Sequence, residues 1–193
     1  MTREASVERT TRETSVAVRL VVDGSGTASA ETGIPFFDHM LEQLGTHGGW
    51  DLEVRCKGDL EVDAHHTVED VGLAIGQALS EAVGDKEGIR RFGHASVPLD
   101  EALVSVSLDL SGRAHVVHEV PVAAEAIGTY DPGLTEDFVR GFATAAGITL
   151  HARLLGGRSP HHVVEAEFKA LARALADACR VEGTGARSTK GTL

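Results

Sequence analysis

Two five-residue segments hold the residues best suited to chemistry: His65-His66-Thr67-Val68-Glu69 and His161-His162-Val163-Val164-Glu165. A histidine and a glutamate one helical turn apart can converge on a single ion, because residues at i,i+3 and i,i+4 are neighbours on a helix surface. Adjacent histidines stand about 100° apart around the axis. His65 and His66 therefore cannot easily share one ion, but each can serve a different one. The same holds for His161 and His162. Two such helices imply two metal ions in pseudo-symmetric sites, with completion by neighbouring subunits one option. For a single motif, solvated histidines at a helix start would be an adequate explanation; a second copy at an equivalent place weakens it. A structural metal is the more serious rival. Closed structural zinc sites are usually tetrahedral and often cysteine-rich, whereas mixed imidazole and carboxylate donors suit Mn²⁺ or Fe²⁺ as well and leave room for substrate.

The elements that must position these motifs occur twice. An alternating strand at about Ser15 to Val22 leads to a turn at Asp23-Gly24-Ser25-Gly26. A short helix near Phe37 to Thr46, a strand at Asp51 to Lys57 and a longer helix at about His65 to Val83 follow. Val68, Val71, Ile75, Ala78, Leu79 and Ala82 keep helical spacing in that last helix, and Gly84 is expected to end it in the left-handed conformation. The second half repeats the order, with strands near Leu103 to Leu110 and Ala114 to Val120, a helix at about Thr135 to Ala146 and a strand from Ile148 to Leu155. Its final helix opens with Ser159 as N-cap and Pro160 in the first turn, and buries Val164, Phe168, Leu171 and Leu175. Setting Gly24 against Gly112 places Glu13 opposite Glu101 without a gap. The expectation is an α+β fold made by tandem duplication of a strand-strand-helix-strand-helix unit. Halves at about 1–87 and 88–182 share one domain, and a Gly/Ser/Thr-rich tail at 183–193 stays unordered unless something holds it.

Composition narrows the partners. The chain has 193 residues, 42% hydrophobic, and a net charge of −11, which disfavours nonspecific binding to nucleic acid or an anionic membrane. Arginine dominates the basic residues, at 14 against 4 lysines. Cys56 and Cys179 form neither a disulfide framework nor a zinc knuckle. No apolar run approaches the roughly 20 residues of a membrane span, and residues 1–9 lack a signal-peptide core, so the expected location is cytoplasmic.

Nine segments from Arg9 onward, those carrying the two motifs among them, resemble the imidazoleglycerol-phosphate dehydratase family, and in the family's order. They include Arg9-Thr10-Thr11-Arg12-Glu13-Thr14, Phe36-Phe37-Asp38-His39-Met40-Leu41, Leu44-Gly45-Thr46-His47 and Gly88-Ile89-Arg90-Arg91-Phe92-Gly93. Further on come Pro98-Leu99-Asp100-Glu101, Asp109-Leu110-Ser111-Gly112-Arg113, Glu167-Phe168-Lys169-Ala170 and Ser188-Thr189-Lys190. The resemblance implies a hydro-lyase of histidine biosynthesis. It would convert imidazoleglycerol phosphate to imidazoleacetol phosphate at a di-manganese site that binds the substrate imidazole as imidazolate, within a 24-subunit homo-oligomer whose sites lie between subunits. Metal ligands carried over by position are His39, His65, His66, Glu69, His161, His162 and Glu165. Glu13 matches the acid/base residue, Arg91, Arg113, Ser188 and Lys190 the phosphate pocket, and His39, His47 and Lys169 further substrate contacts.

One position departs from the family pattern. Where the second half should offer the counterpart of His39, the chain has Asp137. A carboxylate oxygen is acceptable to Mn²⁺, so Asp137 is either a ligand or a surface acid favoured by the start of its helix. His94, His115 and His118 have no motif partner and read as ordinary surface or sheet histidines, His151 as a strand residue, and Trp50 as core or interface. Two rivals to a dehydratase use the same ligands: a metal-assembled structural protein, and a hydrolase whose ions sit about 3.5–4 Å apart around a bridging water.

Overall fold

The structure is a computed structural model that describes residues 2–185, 188 and 189. Its first half runs β1 (Glu4–Thr10), β2 (Thr14–Val21), β3 (Ala28–Glu31), α1 (Pro35–Gly48), β4 (Asp51–Gly58) and α2 (His65–Val83). The second runs β5 (Phe92–Leu99), β6 (Ala102–Asp109), β7 (His115–Glu119), α3 (Leu134–Ala146), β8 (Thr149–Gly156) and α4 (Pro160–Cys179). Each half folds its strands into one four-stranded sheet, ordered β1-β2-β4-β3 and β5-β6-β8-β7. Only the β3–β4 and β7–β8 pairs are parallel; all the others are antiparallel. The architecture is the expected α+β duplication, with one strand more at the start of each unit.

The two helix pairs lie between the sheets. Helix α2 packs on β1, β2 and β4 and also on α3, while α4 packs on β5 and β6 and also on α1. Each helix of the first half therefore meets one of the second, and the motif-bearing helices α2 and α4 are the ones that pack across the antiparallel strands of their sheets. The expected apolar stripes do this work: Val68, Val71, Ile75, Ala78 and Leu79 of α2 and Val164, Phe168, Leu171 and Leu175 of α4 are almost wholly buried. At about 1.5–3 kcal/mol for each large apolar side chain buried, these stripes anchor both helices. The α2–α3 crossing is close because Gly76 carries no side chain. A Cβ there would stand 2.3 Å from the Phe142 carbonyl oxygen, so any other residue must push the helices apart.

The extra strands, β1 and β5, are edge strands with poor hydrophobic patterns. Val7 is the one core residue of β1, and β5 contains Gly93, His94 and Pro98. Strand β3 is four small or polar residues, Ala28–Glu31. The helix boundaries hold within a few residues, and Ser159 caps α4 as expected, its side chain accepting from the His162 amide at 3.5 Å. Gly84 differs: it has φ 62° but ψ −127°, outside the left-handed helical region, although its amide still closes onto the Ser80 carbonyl. The start of the tail is held. The Glu182 and Gly183 amides donate to Gly88 O at 2.9 and 3.2 Å, and the Gly88 amide donates to Gly185 O at 3.0 Å. Trp50 is fully buried and both cysteines are free. Among the described residues, no helix is long and apolar enough to cross a membrane.

His118 departs from its reading as an ordinary sheet histidine. Its side chain is 6% exposed and its Nε2 lies 2.8 Å from Oε1 of Glu167, itself 1% exposed on α4. From α3, Glu136 approaches Nδ1 at 3.6 Å and is itself bonded by Arg140. Burial works against the His118 charge, but the Glu167 hydrogen bond and the charges of Glu167 and Glu136 outweigh burial and Arg140, so the imidazole's pKa is raised. A raised folded-state pKa stabilises fully below the unfolded value of about 6.5 and is lost as pH climbs through the folded value. The wild-type unfolding free energy, measured by urea denaturation, should therefore fall relative to that of His118→Gln as pH rises from about 6 to 8. Parallel curves would show that His118 gains no protonation-linked stability on folding.

Candidate active site

The adjacent histidines diverge as helix geometry requires. The His65 and His66 rings lie 6.0 Å apart at 77° to one another, and those of His161 and His162 lie 5.8 Å apart at 76°. One histidine of each pair faces the neighbouring helix of the other half; the second faces the turn that opens its own half's hairpin.

Two inter-half clusters result. At the α2–α3 contact, His65 Nδ1 is 3.4 Å from Asp137 Oδ2 and His65 Nε2 is 3.8 Å from Glu69 Oε2. At the α1–α4 contact, Glu165 Oε2 lies 3.1 Å from His161 Nε2 and 3.9 Å from His39 Nε2. Asp137 thus occupies, opposite His65 and Glu69, the position that His39 occupies opposite His161 and Glu165. Asp137 faces the cluster, its carboxylate 3.4 Å from the His65 ring. The clusters differ in charge. Glu165 is also clasped by Lys169, Nζ to Oε1 2.6 Å, and its carboxyl is held below its usual pKa: burial opposes this, but Lys169 and His161 prevail. The first cluster has two carboxylates and Leu73 at the place of Lys169. His47 stands behind the second cluster, its pKa lowered by burial and then by Lys169 and Arg173.

The second histidines have carboxylate partners of their own. His66 Nδ1 bonds Asp59 at 3.1 and 3.2 Å, while its Nε2 is 3.9 Å from Glu13 Oε1. His162 Nδ1 bonds Glu101 Oε2 at 2.7 Å, with Asp100 3.6 Å from Nε2. These hydrogen bonds raise the pKa of both imidazoles. Asp59 is the residue that the motif spacing did not reveal, since no acid stands at the matching place after β8. It reaches His66 because β4 ends in Gly58, where a Cβ would sit 2.0 Å from Thr67 Oγ1 on α2. A carboxylate on Nδ1 orients the ring and leaves Nε2 as the nitrogen open to a further ligand.

Glu13 and Glu101, equivalent by alignment, are not equivalent in chemistry. Glu101 accepts from His162 and from the amides of Arg158 and Ser159, at 2.7, 3.2 and 2.8 Å, and the His162 bond followed by the Ser159 amide pulls its pKa down to about 2. It is a fixed anion. The Glu13 side chain is half exposed, and its shortest ion-pair approach is the 3.9 Å to His66.

The phosphate-pocket candidates are brought partly together. Arg91, 13% exposed, grips Asp109 through Nε and Nη2 at 2.6 and 2.9 Å. Its carbonyl accepts from the Leu110 amide, which places Arg91 at the end of the sheet where the turn 111–113 presents the exposed Arg113. Ser188 follows the segment held by Gly88, and Lys190 lies outside the described residues. Clefts of about 460 and 520 Å³ open beside His65 and His161, a size suited to a small ligand. Among the described residues, no three His, Cys, Asp or Glu side chains close around one point to hold an ion within this single chain.

The duplicated α+β fold mounts histidine–carboxylate clusters at its helix starts, beside ligand-sized clefts, the layout of an enzyme's active site. Comparison with known proteins makes it particular. The family model for imidazoleglycerol-phosphate dehydratase matches residues 32–175. The chain is 59% identical to imidazoleglycerol-phosphate dehydratase of Acidothermus cellulolyticus over 99% of this chain and 93% of that protein. It is 50% identical to the chloroplastic enzyme of Pisum sativum over all of this chain and 69% of that protein. Among solved structures, IGPD from Pyrococcus furiosus in complex with (S)-C348 superposes with a TM-score of 0.85 at 36% identity, covering 97% of this chain and 100% of that one. The chain belongs to the imidazoleglycerol-phosphate dehydratase family, enzymes of histidine biosynthesis.

Asp59 provides a test of the geometry. Asp59→Asn should weaken Mn²⁺ binding by about 10–100-fold through loss of His66 orientation, read by isothermal titration, with the melting temperature little changed. An unaltered affinity would mean that the Asp59–His66 bond does not orient a ligand.

Proposed function

We propose that this chain dehydrates imidazoleglycerol phosphate to imidazoleacetol phosphate, using two Mn²⁺ ions per active site that hold the substrate imidazole as imidazolate. The observation that carries the reading is the division of the donors. His39, His161 and Glu165 form one group and His65, Glu69 and Asp137 another, while His66 and His162 point away from both with Nδ1 already occupied. Imidazole nitrogens mixed with carboxylate oxygens suit Mn²⁺. When bound, the metal would supply Lewis acidity that favours loss of the imidazole proton.

The chain's own residues do the rest. Dehydration takes a proton from one glycerol carbon and hydroxide from its neighbour, and the enol that remains ketonises. Glu13, exposed and not committed like Glu101, is the carboxylate that moves protons at those carbons. Arg91, pre-oriented by Asp109, and Arg113 receive the phosphate through their planar donor forks, and Ser188 and Lys190 belong to the same phosphate pocket. His47 and Lys169 contact substrate from the α1–α4 side. Because His66 and His162 aim away from their own chain's groups, each is assigned to the ion of a neighbouring copy, in a homo-oligomer of 24 subunits acting in the cytoplasm without nucleic acid or membrane partners.

Chelation should abolish turnover and shrink the particle on size-exclusion chromatography, because ions bridging copies are lost; Mn²⁺ should restore both. Glu13→Gln should keep Mn²⁺ content and particle size while losing at least about 100-fold in kcat. Full turnover after chelation would overturn the metal role. Retained turnover in Glu13→Gln would remove Glu13 from proton transfer.

A further inference from the structure

Glu13 sits at the tip of a turn, and turns are ordinarily the mobile parts of a fold. This one is tied to helix α2 by a network centred on the buried Asp70 and Thr14. Asp70, the residue after Glu69 on α2, is 6% exposed. Its Oδ1 accepts from Arg9 Nε and Nη2 at 3.0 and 2.9 Å, and its Oδ2 accepts from the Thr14 hydroxyl. The Thr14 hydroxyl meets that of Thr11 at 3.3 Å, and Thr11 Oγ1 accepts the backbone amides of Glu13 and Thr14 at 3.1 and 3.0 Å.

The donors in this chain have one allowed direction. Two amides occupy the lone pairs of Thr11 Oγ1, so its proton must go to Thr14 Oγ1. The Thr14 proton must then go to Asp70, which as a carboxylate only accepts. Arg9 is a donor only, so the other Asp70 oxygen must accept as well. An asparagine at 70 would oppose its NH₂ either to the Thr14 proton or to the Arg9 guanidinium, whichever way it is turned.

The second half has no such network. At the aligned positions, Arg9, Thr11 and Thr14 become Val97, Leu99 and Ala102, and the matching place on α4 is Ala166. Its turn is a two-residue connection with Asp100 at φ 47°. The polar network is built only where the uncommitted glutamate stands.

We propose that Asp70 is a positioning residue for the reaction, holding the Arg9–Thr14 turn so that Glu13 is fixed relative to the His66 side of the metal site. This rests on the reading of Glu13 as the proton-transfer residue. Its test is Asp70→Asn beside Glu13→Gln and the double variant, each assayed for kcat, KM, Mn²⁺ affinity and melting temperature.

Misplacing a catalytic group by about 1 Å can cost on the order of 100-fold. Asp70→Asn should therefore lower kcat by about 10–100-fold while KM and Mn²⁺ affinity stay within about twofold, and in the Glu13→Gln background it should lower kcat no further. Thr14→Val, which breaks the same chain from the turn side, should reproduce the kcat loss if Asp70→Asn does not fold. A folded Asp70→Asn with unchanged kcat overturns the proposal. So does a loss spread equally over KM and metal affinity, the signature of a damaged helix α2. Should Glu13→Gln itself retain turnover, the acid/base assignment fails first, and an Asp70 effect that persists in that background would belong to another group.

Discussion

Everything in the site follows from one property of the α-helix: neighbouring residues point about 100° apart. Two histidines in succession at a helix start cannot look the same way. One turns to the helix of the opposite half and the other to its own half's hairpin turn, and the fold supplies a carboxylate in each direction. His65 meets Asp137 and Glu69, and His66 meets Asp59 and Glu13; on α4, His161 meets Glu165 and His162 meets Glu101. The close α2–α3 crossing at Gly76 and the close end of β4 at Gly58 serve this arrangement, since they bring Asp137 toward His65 and Asp59 toward His66.

Duplication made the halves alike, and the polar residues then set them apart. Glu101 is pinned by three donors and kept anionic, so it orders the start of α4. Glu13 keeps its carboxylate uncommitted, and its turn is secured through the backbone instead. The two inter-half histidine–carboxylate clusters differ in the same manner. Lys169 balances Glu165, while Glu69 and Asp137 share the first cluster with no lysine among them. Its greater negative charge favours a divalent cation by simple electrostatics.

Much of this was legible in the sequence because periodicity and motif spacing are strong where elements are amphipathic. Helices α2 and α4, their apolar stripes and the Ser159 cap could be read directly. Asp137, which stands where the family pattern has a histidine, faces its cluster. What escaped has physical causes. Strands β1, β3 and β5 lie on edges, bury little and lack clean alternation. Asp59 has no counterpart in the other half, so duplication could not point to it. The His118–Glu167 pair joins a strand and a helix 49 residues apart in sequence, a contact that only tertiary packing creates. The Gly183–Gly185 segment looks unordered by composition, yet backbone hydrogen bonds to Gly88 hold it.

The central claim is that the diverging histidines serve two separate ions that grasp one ring from its two nitrogens. The most direct measurement is the distance between the ions in a Mn²⁺-loaded crystal structure with a bound imidazole-phosphate ligand. The account predicts two ions clearly farther apart than the roughly 3.5–4 Å of a water-bridged pair, with the ring between them and Asp137 among the ligands of one. Two ions at that short spacing, or a single ion held by His65 and His66 together, would contradict it.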